Sequence, residues 1–277
     1  MTDFFNDLTH NVQQALHEDL GDGDLTAQLI DAETQAYARV ICREHAVICG
    51  RPWFDEVFKQ LDDHISIHWY VTEGQKVQPD TLLCELKGSA RHILSGERTA
   101  LNFLQTLSGT ATVTAEYVAE LQGFNTQLLD TRKTLPGLRL AQKYAVKCGG
   151  ATNHRIGLYD AILIKENHII ACGDIQQAVK KAKVSDVTVE VETESLEEVE
   201  MALDAGADII MLDNFALADI QKAVEMVAKR AKLEVSGNVE IAGLKTLAAT
   251  GVDYISTGAI TKHLKAIDLS MRFEFLT

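Results

Sequence analysis

Short apolar segments alternate with amphipathic segments through the second half of the chain, and this alternation constrains the fold more than any other feature. The apolar segments span residues 127–130, 161–165, 187–192, 208–213, 233–237 and 254–258. Most of the segments between them, such as SLEEVEMALDAG and ALADIQKAVEMVAKRA, have the periodicity of helices with one buried face. Strands that alternate with helices are typical of a parallel sheet covered by helices.

The predicted strands end on charged or small polar residues. These are Asp130, Lys165, Glu192, Asp213, the run Ser236, Gly237 and Asn238, and the run Ser256, Thr257 and Gly258. Barrel enzymes place their chemistry at the C-terminal ends of their strands, whereas a Rossmann sheet concentrates it at a glycine-rich first turn. No GxGxxG follows the first strand. We therefore predict a TIM-like α/β barrel, an incomplete one because only six strong strands are evident.

The first part of the chain has a different hydrophobic pattern. Residues 35–94 alternate β-branched and aromatic positions with turn signals, which indicates an antiparallel sheet, and residues 96–121 follow as a long helix. We predict an N-terminal α+β sandwich domain over residues 1–110 and a catalytic α/β barrel over residues 111–265. The C-terminal tail, residues 266–277, is expected to pack on the first domain.

Composition excludes several classes of protein. No apolar run approaches the roughly 20 residues of a membrane span, and no basic segment precedes an apolar stretch at the start as in a secretory signal. The five cysteines have no CxxC spacing, which favours a reducing, cytoplasmic location over a disulfide framework. The net charge of −14 argues against a nucleic-acid or anionic-membrane partner.

One window is basic in this acidic chain. Seven cations and only two acids lie between Asp130 and Lys165, which predicts a pocket for a small, multiply charged anion. Arg132 and Lys133 directly follow a strand, the pair His154 and Arg155 lies in a predicted loop, and Lys165 ends a buried strand. Arginine binds carboxylates and phosphates bidentately, and lysine supplies a point charge. The alternatives are a solvated basic helix face for Arg139, Lys143 and Lys147, and a structural role for Lys165.

The remaining strand ends suggest further binding groups. Glu192 and Asp213 are candidates for general acid/base groups or for ligands of a divalent cation, with helix capping as the alternative. The runs from Ser236 to Asn238 and from Ser256 to Gly258 expose backbone N–H groups where many barrels bind phosphate. The residues alone therefore predict a barrel enzyme with carboxylated and phosphorylated substrates.

At these residues the chain resembles the quinolinate phosphoribosyltransferase family. The likeness covers nearly the whole chain and includes ALHEDLGDGDLT, GERTALNFLQTLSGTAT, DTRKTLPGLR, KYAVKCGG, NHRIGL, LIKENHI, AGADIIMLDN, EVSGNV and DYISTGAITK. The family usually has Asp where Glu166 stands and a third glycine where Ala151 stands. Neither departure removes a charged group from the motifs.

The resemblance implies transfer of phosphoribosyl from phosphoribosyl pyrophosphate to the ring nitrogen of quinolinate, with loss of carbon dioxide and pyrophosphate to give nicotinate mononucleotide. In the family pattern, a cationic cage binds the two quinolinate carboxylates; its matching residues here are Arg98, Arg132, His154, Arg155 and Lys165. The phosphoribosyl donor is expected at Lys133, Lys165 and the two late loops, with Mg²⁺ screening the pyrophosphate. Glu192 and Asp213 are expected to bind ribose hydroxyls or Mg²⁺.

The resemblance also implies a homodimer with shared active sites, in which Arg98 of one subunit enters the neighbour's site, and such dimers can assemble into a hexamer. Three other functions stay open on the residues. They are a related phosphoribosyltransferase acting on another base, a Schiff-base aldolase that uses Lys165, and a non-catalytic metabolite-binding regulator.

Overall fold

A computed structural model of the chain describes residues 2–276. Its strands are β1 (Gln35–Cys42), β2 (Ala46–Val47), β3 (Ser66–Trp69), β4 (Lys76–Val77), β5 (Thr81–Ser89), β6 (Gln127–Leu129), β7 (Ile162–Ile164), β8 (Val189–Thr193), β9 (Ile209–Asp213), β10 (Lys232–Ser236), β11 (Tyr254–Ser256) and β12 (Leu269–Leu276). Its helices are α1 (Leu8–Leu20), α2 (Arg51–Leu61), α3 (Ala90–Glu120), α4 (Arg139–Cys148), α5 (Glu166–Cys172), α6 (Ile175–Ala182), α7 (Leu196–Asp204), α8 (Leu217–Val227), α9 (Leu244–Ala248) and α10 (Ala259–Lys262).

The chain divides into two compact units that are both discontinuous in sequence. Within the described residues, the first unit consists of residues 2–115, 135–150 and 263–276, and the second consists of residues 116–134 and 151–262. Helix α4 therefore belongs to the first unit, although it follows a strand of the second.

The first unit is built on an antiparallel sheet with the strand order β12-β1-β5-β3. Alternate residues of β1, from Ala36 to Cys42, are buried because side chains along a strand point to opposite faces in turn. Helix α2 buries the aromatic rings of Trp53, Phe54 and Phe58 in the core of this unit. The predicted antiparallel module is confirmed.

Helix α4 of the first unit tests the alternative that Arg139, Lys143 and Lys147 form a solvated basic face. The side chain of Lys143 on α4 is fully buried, so α4 does not present a uniformly solvated basic face. The long helix predicted at residues 96–121 begins earlier, at Ala90, and ends at Glu120. Among residues 2–276, no helix combines the length and the apolar character that crossing a membrane requires.

The second unit contains the predicted parallel sheet. Its strand order is β6-β11-β10-β9-β8-β7, and all six predicted strands are present within a few residues of their expected bounds. The two end strands, β6 and β7, are not paired with each other; an isolated bridge joins Leu129 of β6 to Thr152. The expectation of an incomplete TIM-like barrel is thus confirmed, with the barrel open between β6 and β7.

At the amino ends of the strands, two aspartates join neighbouring strands in the same way. The Asp208 carboxylate precedes β9, accepts a hydrogen bond from the Val189 amide of β8 at 2.8 Å and pairs with Lys183. The Asp253 carboxylate precedes β11, accepts from the Leu233 amide of β10 at 3.1 Å and pairs with Lys232. Each carboxylate therefore satisfies an amide at a strand start, which stabilises the sheet at this end.

Candidate active site

A cavity of about 270 Å³ lies at the carboxyl ends of the parallel strands. Five of the six strands, β7 to β11, contribute residues through their alternate, inward-facing positions, as a barrel requires. The lining consists of Thr131, Arg132, Lys133, His154, Arg155, Leu163, Lys165, Glu192, Met211, Glu234, Ser236 and Ser256. The cavity therefore brings together four of the ten predicted strand-end residues and four residues predicted from the basic window: Lys165, Glu192, Ser236 and Ser256, with Arg132, Lys133, His154 and Arg155.

The cavity contains two guanidinium groups with no acidic partner. Among the described residues, neither Arg132 nor Arg155 forms an ion pair, and the Arg155 guanidinium donates only a long hydrogen bond to the Ala161 carbonyl, at 3.4 Å. Burial and the positive charge of Arg132 both lower the pKa of Arg155. The two cations repel each other, so an anion that binds both would relieve this repulsion.

Two carboxylates hold the loop that carries Arg155. Asp130, at the end of β6, is fully buried and accepts hydrogen bonds from the Asn153 side chain and the His154 amide, both at 2.8 Å. Asp160 accepts from the Ile156 and Gly157 amides at 2.7 and 3.0 Å. The loop backbone is therefore fixed on both sides of Arg155, which directs its side chain into the cavity.

The His154 ring contacts the carboxylates of two buried glutamates inside the barrel. Its Nε2 atom is 2.8 Å from the Glu190 carboxylate and 3.5 Å from that of Glu234. Burial lowers the pKa of His154, but both carboxylates outweigh burial and raise it to about 10. The Arg155 amide opposes this rise because it donates to Nδ1 at 2.8 Å, and that nitrogen then has no proton. Nε2 therefore carries the proton and faces the glutamates, and both ring nitrogens are engaged.

Lys165 forms an ion pair with Glu192, which ends the inward face of β8. The Lys165 side chain is 47% exposed and that of Glu192 is 19% exposed, so both remain accessible from the cavity. The Lys165 Nζ is engaged by this carboxylate. Lys165 is therefore a cationic binding group, and this argues against a Schiff-base nucleophile.

The backbone around Lys133 is held by two threonines. The Lys133 amide donates to Thr131 Oγ1 at 3.1 Å, and its carbonyl accepts from Thr261 Oγ1 at 2.8 Å. A Cβ on Gly258 would lie 2.8 Å from Lys133 Cδ, so a side chain at position 258 would crowd the lysine stem. This close approach places Lys133 beside the loop after β11.

The remaining predicted residues of the second unit, at the ends of β9, β10 and β11, do not line the cavity. The Asp213 carboxylate accepts from the Asn214 side chain at 2.8 Å. Gly237, at φ +96°, closely approaches Asn214, and a Cβ there would meet its Oδ1. Asn238 has a left-handed backbone, at φ 41°. The amide of Ala259 donates to Thr257 Oγ1 at 3.2 Å.

Arg98 differs from the other predicted residues because it belongs to the first unit. It lies on α3, is exposed and does not line the cavity. No described residue forms an ion pair with it, and this includes its neighbour Glu97. Its guanidinium is free to meet a group from outside its own unit.

Sequence reasoning missed the inward-facing Glu190 and Glu234. Both are buried within strands, at 3% and 0% exposure. Glu190 stands two residues before Glu192, and Glu234 stands two residues before Ser236. Because strand side chains alternate, each missed glutamate shares its face with a residue that was identified, and this periodicity was the available signal.

The chain matches two family models and is similar to well-described relatives. The models are the N-terminal domain of quinolinate phosphoribosyl transferase, over residues 24–108, and its C-terminal domain, over residues 110–272. The probable nicotinate-nucleotide pyrophosphorylase [carboxylating] of Bacillus subtilis is 41% identical over 257 residues, covering 92% of this chain and 89% of the relative. The rat nicotinate-nucleotide pyrophosphorylase [carboxylating] is 39% identical, covering 89% and 84%.

Solved structures are also similar to this chain in sequence and in fold. The nicotinate-nucleotide pyrophosphorylase of Francisella tularensis is 50% identical with a TM-score of 0.94, covering 99% of this chain and 98% of that one. NadC of Streptococcus pyogenes is 38% identical with a TM-score of 0.95, and each chain is covered completely. Sequence and fold therefore agree over the full length of both proteins.

Proposed function

The chain belongs to the quinolinate phosphoribosyltransferase family, and from this premise we propose that the strand-end cavity is its active site. The enzyme transfers the phosphoribosyl group of phosphoribosyl pyrophosphate to the ring nitrogen of quinolinate. Carbon dioxide and pyrophosphate leave, and nicotinate mononucleotide is formed for NAD biosynthesis.

The observation that carries the assignment is the pair of unpartnered cations. Arg132 and Arg155 face one half-buried cavity without a carboxylate between them, and burial together with Arg132 lowers the pKa of Arg155. Quinolinate has two adjacent carboxylates, one for each guanidinium. Lys165 adds a third cation, and the ring of His154 completes the wall. We assign these four residues to the quinolinate subsite.

This assignment predicts strong discrimination between quinolinate and nicotinate, which lacks one carboxylate. A desolvated guanidinium left unpaired costs roughly 2–5 kcal/mol, equivalent to at least a ~30-fold loss of affinity. Binding of both bases should be measured by calorimetry on the same preparation. Arg155→Ala should remove most of the difference, whereas comparable affinity of the unaltered enzyme for the two bases would contradict the assignment.

We assign the phosphoribosyl donor to the other side of the cavity. Lys133 and Lys165 supply positive charge, and the loops after β10 and β11 offer backbone N–H groups. We expect Glu192 and Asp213 to accept from ribose hydroxyls and their charges to stabilise the oxocarbenium-like sugar. After glycosylation, the positive ring nitrogen stabilises the carbanion left by decarboxylation, so the protein needs no cofactor for that step.

Mg²⁺ is expected to arrive with the pyrophosphate. Glu192 is already paired with Lys165, and no described cluster of three metal-binding side chains includes Glu192 or Asp213. Such a sparse donor set fits Mg²⁺, which keeps several waters and is commonly held by substrate phosphates and one or two carboxylates. Glu192 and Asp213 would contact it from the protein side, where it would neutralise charge on the leaving group.

We propose that the active site is shared within a homodimer. The exposed, unpaired Arg98 lies on α3 of the first unit, and this position suits a contact with a neighbouring subunit's cavity. Mixing inactive Arg98→Ala chains with inactive Lys165→Ala chains tests the proposal. Mixed dimers would contain one site without either lesion, so activity should return. Verified subunit exchange without recovered activity would contradict sharing, and light scattering distinguishes a dimer from a hexamer.

A cytoplasmic location completes the proposal. All five cysteines of the chain are free, as expected for a protein that works under reducing conditions. The acidic composition gives no support for a nucleic-acid partner.

A further inference from the structure

A second group of reactive side chains lies in the first unit, among elements that the catalytic proposal does not use. It consists of Cys49, Glu73 and Cys148. One ligand atom from each residue, two thiol sulfurs and a carboxylate oxygen, lies within 4.8 Å of the others. Cys148 Sγ is 3.9 Å from Glu73 Oε2. Three residues far apart in sequence thus present soft and hard donors to a single point.

The geometry points to a binding site for a thiophilic divalent cation such as Zn²⁺: we propose that Cys49 and Cys148 bind it through sulfur and Glu73 through Oε2. Tetrahedral Zn²⁺ has metal–ligand distances of about 2.0–2.3 Å, which places its ligand atoms roughly 3.6–3.8 Å apart. The separation of Cys148 Sγ and Glu73 Oε2, 3.9 Å, is close to these values, and all three ligand atoms lie within 4.8 Å of one another. A water molecule would complete the fourth position, since Glu73 and Cys148 are only partly buried.

Glu73 is oriented for this task by the start of α2. Its Oε1 accepts from the Arg51 amide at 2.9 Å and from the Gly50 amide at 3.2 Å. These bonds fix the carboxylate plane, so that Oε2, which accepts from Gly50 at 3.1 Å, also faces the thiols. Backbone donors that hold a ligating carboxylate in place raise the affinity of a metal site.

The two cysteines are equally well positioned. Cys49 is fully buried, and both its amide and its carbonyl are hydrogen-bonded to the Ser108 hydroxyl, at 3.0 and 3.1 Å. Cys148 ends α4, and its Sγ faces Glu73 Oε2 at 3.9 Å. Each Zn–S bond forms as one thiol releases its proton to the buffer, with no change of oxidation state.

The proposed ion would join three separate elements of the first unit. It would tie the segment before α2, the turn that follows β3 and the end of α4. Such cross-links stabilise the folded state because no preformed site exists in the unfolded chain. We therefore expect a structural metal site, one that does not depend on the assignment of the catalytic cavity.

Cobalt spectroscopy of the reduced, chelator-treated full chain tests the proposal. Co²⁺ alone should give one equivalent of a thiolate-to-cobalt charge-transfer band with intense tetrahedral d–d bands, and Zn²⁺ should displace it. Cys148→Ser should lose the band and bind Zn²⁺ at least a hundredfold more weakly. Glu73→Gln, which keeps an acceptor for α2, should bind about tenfold more weakly. Cys172→Ser removes a cysteine outside the cluster and should behave like the unaltered chain.

A thermal measurement gives a second readout. Zn²⁺ should raise the melting temperature of the unaltered chain and of Cys172→Ser, but not that of Cys148→Ser, each compared with its own metal-free sample. The proposal is overturned if the reduced chain gives no charge-transfer band, or if Cys148→Ser keeps it. A Cys49–Cys148 disulfide that forms despite excess Zn²⁺ would also overturn it.

Discussion

The two ends of the parallel sheet contain the same kinds of residue in opposite states. At the amino ends, Asp208 and Asp253 each accept from a neighbouring strand's amide and pair with a lysine. At the carboxyl ends, Arg132, Lys133 and Arg155 line a cavity and form no ion pair with any described residue. One end satisfies its charges internally, and the other leaves cations for a ligand.

This difference separates stability from function along a single set of strands. A charge that is already neutralised and hydrogen-bonded contributes to folding, whereas an unpaired cation in a half-buried cavity disfavours folding slightly and binds anions well. Substitutions at the amino ends should therefore reduce stability and spare activity. Substitutions at the carboxyl ends should do the reverse.

Two lysines give the sharpest contrast, because both pair with a carboxylate at the sheet. Lys165→Ala should lower kcat by about 10²–10³, since a preorganised charge beside the reacting groups is lost. Lys183→Ala, the matched change at the amino end, should leave kcat within a factor of two. Steady-state formation of nicotinate mononucleotide measures both. Equal losses in the two variants would remove the distinction between the ends.

Residues at the carboxyl ends of the strands should fall into two groups, one that binds phosphoribosyl pyrophosphate and one that binds quinolinate. Lys133→Ala should weaken binding of phosphoribosyl pyrophosphate about 10- to 100-fold and change quinolinate affinity much less, because a charge-assisted contact contributes roughly 1.5–3 kcal/mol. Arg155→Ala should show the opposite pattern. Separate titrations of each ligand measure the split. If both variants lose both ligands equally, the proposed subsites are wrong.

At the amino end, Asp253→Ala should lower the free energy of unfolding by about 1–3 kcal/mol, because the Leu233 amide and Lys232 lose their shared partner. Urea unfolding measures this change, and kcat below the transition should be unaffected. Asp186→Ala, a change at an exposed acid with no resolved ion pair, serves as the control. A loss of activity larger than the loss of stability would contradict the separation.

The smallest expected effect is on pH dependence. Burial opposes ionisation of Asp253, but its hydrogen bonds from Lys232 and the Leu233 amide lower its pKa below 3.8. The unfolded chain then holds the proton more tightly, so this stabilisation is present above about pH 4 and is lost as the pH falls through the lowered value. Between pH 5 and 3, the free energy of unfolding should fall less with pH for Asp253→Asn than for the unaltered chain. Urea unfolding at each pH measures this.

Sequence periodicity predicted the sheet well because each strand of the second unit is a short apolar run with a polar end. The strand from Val189 to Thr193 shows both the reach and the limit of this reasoning. Glu192 was identified because it ends the segment, but Glu190 was missed because a buried acid inside a strand contradicts the usual preference. Only the contact with His154 explains it, and that histidine lies 36 residues away in sequence.

It was harder to predict which helix side chains are buried than to predict where the strands lie. Arg139, Lys143 and Lys147 stand four residues apart, a spacing that predicts one shared face but not whether solvent covers it. Lys143 is fully buried because α4 packs against the rest of the first unit through the residues on either side of it, Ala141 and Ala145. The thiol cluster was equally out of reach, since Cys49 and Cys148 carry no short spacing that would indicate a common site.

The pairing of β12 with β1 sets the order in which the molecule can form. Gln35 pairs with Leu276, so the first unit's sheet gains this strand only after nearly the whole described chain has been made. Most of the parallel sheet comes from one continuous stretch, which can close sooner on the ribosome. Because contacts between distant segments form slowly, the edge of β1 stays uncovered longest during synthesis. That interval is when newly made chains are most exposed to pairing with one another.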